Sequence, residues 1–248
     1  MERALKVNNS FYGELGEKWY QAYDDPIALL RAENKAMFPW ILNKIRQFSS
    51  PQSEILDVGC GAGFLSNQLA RQGYQVTGVD IEEEVLEVAK KHDATGSVVY
   101  RPADAYKLPF ENASFDIVTA MDFLEHVEEP DKVIKEFSRV LKPGGLFFFH
   151  TFNRNLLSHF VVIKLIEWFV KNTPKNMHVI NLFITPEEIK KYCNEASMEV
   201  MGMIGVMPKF STIDWNMVKT GVVSRDMEFR LTKSTKVSYL GVAQKVSK

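Results

Sequence analysis

The sequence predicts an α/β fold in which a mostly parallel sheet carries helices on both faces. Three observations carry this expectation. Short apolar runs alternate with segments of helical period, the pattern that successive βαβ units leave in a chain. A turn with three alternating glycines follows the first run, and acids stand in or just beyond the first three runs.

The strand-like runs are Ile55–Val58, Val76–Val79, Val98–Tyr100, Phe115–Ala120 and Leu146–Phe149. Between them lie Leu65–Gln72 and Glu82–His92, the latter with Val85, Leu86 and Ala89 at helical spacing. Pro143-Gly-Gly145 makes a sharp turn that feeds the fifth strand. Two later runs, Met198–Val206 and Val237–Ala243, supply the sixth and seventh strands. Residues 1–50 read as a helical cap: Trp19, Ala22 and Tyr23 share one face, and Leu29 to Ile45 is periodic again. The chain is then a single domain, 1–248, with a cap at 1–50, a core at 51–150, and insertions at 151–185 and 207–235 near the strand ends where substrates bind.

Composition narrows the function classes. With 248 residues the chain has ample length for one core. Two cysteines, Cys60 and Cys193, give neither a disulfide framework nor a metal-ligand pair, so a reducing cytoplasm is the natural compartment. The start, Met1-Glu-Arg-Ala-Leu-Lys6, lacks the apolar run of a secretory signal, and no apolar stretch reaches the roughly 18 residues of a membrane span. Net charge is -1, but residues 1–130 carry 12 Lys/Arg against 21 Asp/Glu, and residues 131–248 carry 18 against 10. No basic cluster is interleaved with aromatics, so the expectation is no nucleic-acid partner. The basic second half suits either a solvated surface or an anionic lipid face.

The glycine turn, Glu54-Ile-Leu-Asp-Val-Gly-Cys-Gly-Ala-Gly-Phe64, calls for a nucleotide-like cofactor at the carboxyl end of the first strand. The dinucleotide fingerprint would need its third glycine at Phe64; here it stands at Gly63, which argues against a dehydrogenase. The G-x-G-x-G spacing resembles motif I of the class I S-adenosylmethionine-dependent methyltransferases, D/E-x-G-x-G-x-G, with Asp57, Gly59, Gly61 and Gly63 in register. Asp80 ends the second run about 20 residues on, where an acid can accept both ribose hydroxyls. The resemblance places Asp104 against the adenine amino group, and the neighbours Ile81 and Ala105 join the same cofactor set. It also implies a Rossmann-like seven-stranded sheet whose seventh strand is antiparallel between the fifth and sixth. Leu141-Lys-Pro-Gly-Gly145 is a common segment of that family.

After the fourth run, Asp122, Glu125 and His126 lie at i, i+3 and i+4. On a helical turn they would share a face and form a divalent-cation site, the carboxylates suiting Mg²⁺ and the imidazole pulling toward Zn²⁺. The alternative is that the acids cap the turn and His126 packs or acts as a general base. Met121-Asp-Phe-Leu-Glu-His-Val127 resembles the M-E-x-x-E-H-V segment of the ubiquinone-biosynthesis O-methyltransferases. His150-Thr-Phe-Asn-Arg-Asn155, Thr173-Pro-Lys-Asn-Met-His178 and Phe183-Ile-Thr-Pro-Glu-Glu188 are similar to that family's S-T-I-N-R-N, V-P-K-G-T-H and F-I-K-P-x-E, over roughly residues 26 to 206. The resemblance implies that Asp122, Glu125 and His126 bind the cation and carry catalysis, and that Met121, Gly59, Asp80 and an N-terminal arginine line the cofactor. Arg31 is the closest match for that arginine. Asp122 departs from the family's usual Glu, and remains a carboxylate that ligates metal.

Leu156–Lys171 has a narrow polar stripe, Lys164, Glu167 and Lys171. Leu157, Phe160, Val161, Leu165, Trp168 and Phe169 occupy the rest of its girth. Such a segment is buried on two sides or lies in a membrane interface. The resemblance favours the interface, since enzymes of the ubiquinone pathway are peripheral membrane proteins, here on the inner face. It implies methyl transfer from S-adenosylmethionine, leaving S-adenosylhomocysteine, to a phenolic hydroxyl of a polyprenylated catechol, and it allows a biosynthetic complex as partner. The rival expectations are another small-molecule acceptor, or a cofactor-binding protein without catalysis.

Overall fold

In the computed structural model, which describes residues 10–247, eight strands form one sheet in the order β3-β2-β1-β4-β5-β8-β6-β7. These are β1 (Glu54–Val58), β2 (Gln75–Asp80), β3 (Val99–Pro102), β4 (Phe115–Met121), β5 (Leu141–Phe152), β6 (Met198–Pro208), β7 (Phe229–Thr232) and β8 (Ser238–Lys245). The first five run parallel. β8 is antiparallel to both β5 and β6 and lies between them, as the resemblance implied. The reading of Met1–Lys6 falls outside the described residues.

The helices are α1 (Ser10–Glu14), α2 (Lys18–Gln21), α3 (Ile27–Phe48), α4 (Phe64–Arg71), α5 (Glu83–Lys91), α6 (Pro130–Val140), α7 (Leu156–Ser158), α8 (Leu165–Phe169), α9 (Pro186–Glu195) and α10 (Trp215–Thr220). α5 places Glu83 and Glu84 in its first turn and Lys90 and Lys91 in its last, which suits the helix dipole. α9 begins with a reciprocal capping box between Thr185 and Glu188, followed by Pro186.

Alternate side chains of the central strands serve two separate cores, as a sheet covered on both faces requires. Leu56, Val58, Val118, Phe147 and Phe149 face α6 and α9, where Phe137, Ile134 and Ile189 meet them. Ile55, Ile117, Leu146 and Phe148 face α3 and α4, meeting Met37, Ile41, Leu65 and Leu69. A third core joins the N-terminal cap to the cofactor side: Leu15, Trp19 and Ile27 pack with Val85, Leu86 and Tyr100.

Three features differ from expectation. The eighth strand, β7, lies inside the 207–235 insertion and, among the described residues, pairs with β6 alone; its four residues are too short a run to stand out in the sequence. β5 starts at Leu141, paired with Phe115. The ladder then resumes at Leu146 opposite Ile117, and residues 142–145 are looped out around Gly144 at φ 78°. The apolar insertion is not one regular helix: a π-helical stretch, His159–Lys164, separates α7 from α8.

The crossing from β1 to α4 is tight. Gly63 caps α4 in the left-handed region at φ 78°, and a Cβ there would stand 2.3 Å from the Tyr100 hydroxyl. That hydroxyl donates to Asn67 on α4 at 2.8 Å. Gly63→Ala therefore combines left-handed strain with overpacking and should lower stability by roughly 2–4 kcal/mol. Urea denaturation measures it; an unchanged midpoint would contradict the close approach.

Candidate active site

The carboxyl ends of β1, β2 and β4 open into one cavity of about 530 Å³, within the range of small-molecule sites. Gly59 and Gly61 line it with left-handed backbone, φ 66° and 50°. Asp57, Asp80, Ile81, Asp104, Ala105 and Met121 line the same cavity. Of the expected cofactor residues, the structure thus brings nearly all to one surface, with Gly63 just behind as the α4 cap.

Asp57 is a brace for this turn. It is almost fully buried, and its oxygens accept from Ser66 on α4 and Thr119 on β4, each at 2.6 Å. Burial pushes its carboxyl up to about 6, against the pull of those two donors. Asp80 accepts from the Gly61 N–H at 2.9 Å and the Glu82 N–H at 3.2 Å, so the strand-end acid and the glycine turn fix one another. Burial raises its carboxyl as well. Each Asp80 oxygen retains acceptor capacity for a diol. Asp104 accepts from the Tyr106 N–H at 2.9 Å in a local turn.

Arg31 is not among the residues that line the cavity. Its guanidinium donates to the carbonyls of Trp19 (2.7 Å) and Ala22 and lies over the Tyr23 ring. In this structure it fastens α3 to the α2 segment within the N-terminal cap. Tyr20 ties the same cap to the glycine turn by donating to the Ala62 carbonyl at 2.8 Å.

At the other end of the cavity stand Met121, Asp122, His126, Phe152 and His178, with Tyr12 and Glu33 from the cap. The expected helical turn does not form around Asp122, which adopts a left-handed φ of 51°; only Leu124–His126 is helical, as a 3₁₀ turn. The i, i+3, i+4 argument for a shared face therefore fails. Asp122 Oδ1 lies 2.7 Å from His150 Nδ1. Glu125 is 1% exposed, accepts from Thr151 at 2.8 Å, and leaves Oε1 without a partner. His126 lies deep in the cavity beside His178, with ring centroids 5.8 Å apart, and edge-to-face with Tyr12 at 5.5 Å. Among the described residues, the carboxylate and imidazole atoms within 4.8 Å of one another belong to Glu33, Asp122 and His150. Asp122, Glu125 and His126 do not close into such a group.

The electrostatics follow burial. Desolvation pushes His126 down to about 4 despite Asp122, and pushes His178 down to about 3 with His126 adding to the effect. Both rings are neutral at physiological pH. Glu125 and Glu33 are raised, first by burial, with Asp122 adding negative potential. His150 goes the other way: burial disfavours its charge, but the carboxylates of Asp122 and Glu33 outweigh it and lift the ring to about 9.

Tyr12, Glu33 and His178 were not singled out as site residues by the sequence. His178 carried a signal, the Pro-Lys-x-x-His segment. Glu33 and Tyr12 lie in the cap, and only the tertiary fold brings them in.

A methyltransferase-domain family model matches residues 56–149. The ubiquinone biosynthesis O-methyltransferase of Aromatoleum aromaticum is 33% identical over 198 residues, covering 79% of this chain and 83% of that protein. The enzyme of the same name from Xanthomonas campestris is 32% identical over 237 residues, covering 94% and 92%. Among solved structures, an S-adenosylmethionine-dependent methyltransferase from Methanosarcina mazei matches with a TM-score of 0.61 at 24% identity, covering 86% of this chain and 100% of that one. Magnesium protoporphyrin IX methyltransferase from Synechocystis PCC 6803, with SAH bound, matches with a TM-score of 0.63 at 17% identity, covering 96% and 95%. The two structures speak for the fold alone. The glycine turn, its strand-end acids, and relatives above 30% identity across most of both chains together make this chain a member of the ubiquinone biosynthesis O-methyltransferase family, an S-adenosylmethionine-dependent methyltransferase.

Proposed function

We propose that the protein transfers the methyl group of S-adenosylmethionine to a phenolic hydroxyl of a catechol-type ring bearing a polyprenyl tail, a precursor of ubiquinone. The observation that carries this reading is the single cavity. It joins the cofactor residues Asp80 and Asp104 to an acid–imidazole end of Asp122, His126 and His178, with Met121 between. The names of the curated relatives support the pathway.

The cofactor supplies a methyl group made electrophilic by its sulfonium, so the protein's task is largely alignment. Asp80 and the Gly59–Gly61 backbone orient the nucleoside end; Met121, Phe123 and Phe152 shield the reacting region from water. An unperturbed phenol has a pKa near 10, so its proton must be drawn off during attack. His126, neutral and lining the cavity, accepts that proton at a ring nitrogen, a role typically worth 10²–10⁴-fold. His178, beside His126, lines the acceptor end with a second neutral ring.

The donor set also suits a divalent cation, because the Glu125 Oε1 orphan is a buried oxygen of the kind a cation satisfies. Asp122, Glu125 and His126 would hold it, with some convergence of their side chains. A bound Mg²⁺ or Zn²⁺ supplies a Lewis acid that lowers the hydroxyl pKa and fixes the ring.

The tail accounts for the insertion. Val161, Val162 and Ile163 turn inward, whereas Leu156 is 88% exposed and Leu157, Phe160 and Trp168 also face outward. α10 packs beside α8 and carries Trp215, 79% exposed. No helix among the described residues is long and apolar enough to cross a membrane. The exposed indoles and aliphatics suit an interfacial contact, through which a lipid-dissolved tail enters.

The test of the reaction is turnover with a short-chain catechol. Glu125→Gln combined with His126→Ala should cut turnover at least 10²-fold while S-adenosylhomocysteine affinity stays within about twofold. Undiminished turnover would remove the acid–imidazole end from catalysis. The membrane reading predicts that Trp168→Ser with Trp215→Ser abolishes co-sedimentation with anionic phospholipid vesicles and leaves short-chain turnover unchanged. Equal co-sedimentation of wild type and variant would reject it.

A further inference from the structure

His150 belongs to no part of the mechanism above, yet polar partners face both of its ring nitrogens. It sits on β5, fully buried, behind the acid end of the cavity. Its Nδ1 lies 2.7 Å from Asp122 Oδ1, and its Nε2 lies 2.9 Å from Ser238 Oγ and 3.5 Å from Glu33 Oε1. The single hydroxyl proton of Ser238 goes to the Val206 carbonyl at 2.9 Å, so toward His150 that hydroxyl accepts. Opposite a carboxylate, Nδ1 also donates. Glu33, Asp122 and His150 come within 4.8 Å of one another, so the ring faces both carboxylates at once.

The backbone of His150 takes part too. Its carbonyl accepts from the Asp122 N–H at 3.2 Å. One residue thus grips Asp122 at main chain and side chain, at the position where Asp122 holds a left-handed φ of 51° that non-glycine residues seldom adopt. Glu33 and Asp122 both line the cavity, one from α3 and the other from the end of β4, and the imidazole behind them touches both.

We infer that His150 is the positioning residue of the acceptor site: it joins the carboxylates of Asp122 and Glu33 into one fixed acidic wall, and the contribution of Asp122 depends on its Nδ1–H. The inference rests on the proposed role of Asp122 at the acceptor end. It makes the register of β5 against the end of β4 a determinant of catalysis, although His150 itself never meets the substrate.

The two ring nitrogens have different amide surrogates, which makes the idea testable without emptying the core. An asparagine amide places its N–H near the Nδ1 position; a glutamine amide places it near Nε2. His150→Asn should keep kcat within about fivefold, and His150→Gln should lower it at least 30-fold, with S-adenosylhomocysteine affinity within twofold for both as a check on folding. In an Asp122→Asn background, the step from His150 to Gln should shrink to threefold or less. Two outcomes overturn the inference alone: equal kcat for the Asn and Gln variants, or an undiminished 30-fold loss in the Asp122→Asn background. Full activity of Asp122→Asn by itself would instead overturn the role of Asp122 and the inference with it.

Discussion

Three absent side chains organise the cofactor end of the molecule. A Cβ on Gly59 would stand 2.3 Å from the Phe123 ring, one on Gly61 3.1 Å from Trp19, and one on Gly63 2.3 Å from the Tyr100 hydroxyl. Each glycine therefore receives an aromatic residue from a different part of the fold: the turn after β4, the N-terminal cap, and β3. The left-handed backbone that the glycines permit is what lets the chain pass from β1 to α4 within so few residues. Asp57, held by Ser66 and Thr119, locks the same turn from beneath. Cap, sheet and acceptor loop are thus all referenced to one short stretch of backbone.

The acceptor end obeys a different constraint. It is built by burying charge rather than by removing side chains. Asp122, Glu33 and Glu125 crowd around the His150 ring, and burial raises Glu33 and Glu125 while the surrounding carboxylates raise His150. Buried groups of this sort are costly unless paired, and their concentration beside two neutral imidazoles is the usual mark of a site rather than of a core.

Much of this was legible in the sequence, and the reasons are specific. The central strands announce themselves because they are apolar on both faces, and the glycine spacing separates this cofactor turn from a dinucleotide one. Asp80 is legible because strand ends in such a sheet converge on one edge, and Asp104 through the methyltransferase resemblance. Helical periodicity misplaced Asp122, Glu125 and His126, since Asp122 is left-handed and the turn beyond it is 3₁₀. Nothing local distinguishes Glu33 from any other acid on an amphipathic helix, or His150 from a packed histidine in an apolar strand. Their meeting is set by how α3 lies against the sheet. Arg31 likewise has the expected type and region, but its guanidinium is spent on the carbonyls of the cap.

The most direct test of the account is sequential calorimetry on the intact protein. S-adenosylhomocysteine is titrated first, and a short-chain catechol second, with and without Mg²⁺. The account predicts saturable nucleoside binding followed by catechol binding that Mg²⁺ strengthens. A folded protein that binds the nucleoside but gives no heat with catechol under either condition would contradict the catechol acceptor and leave only the methyltransferase fold.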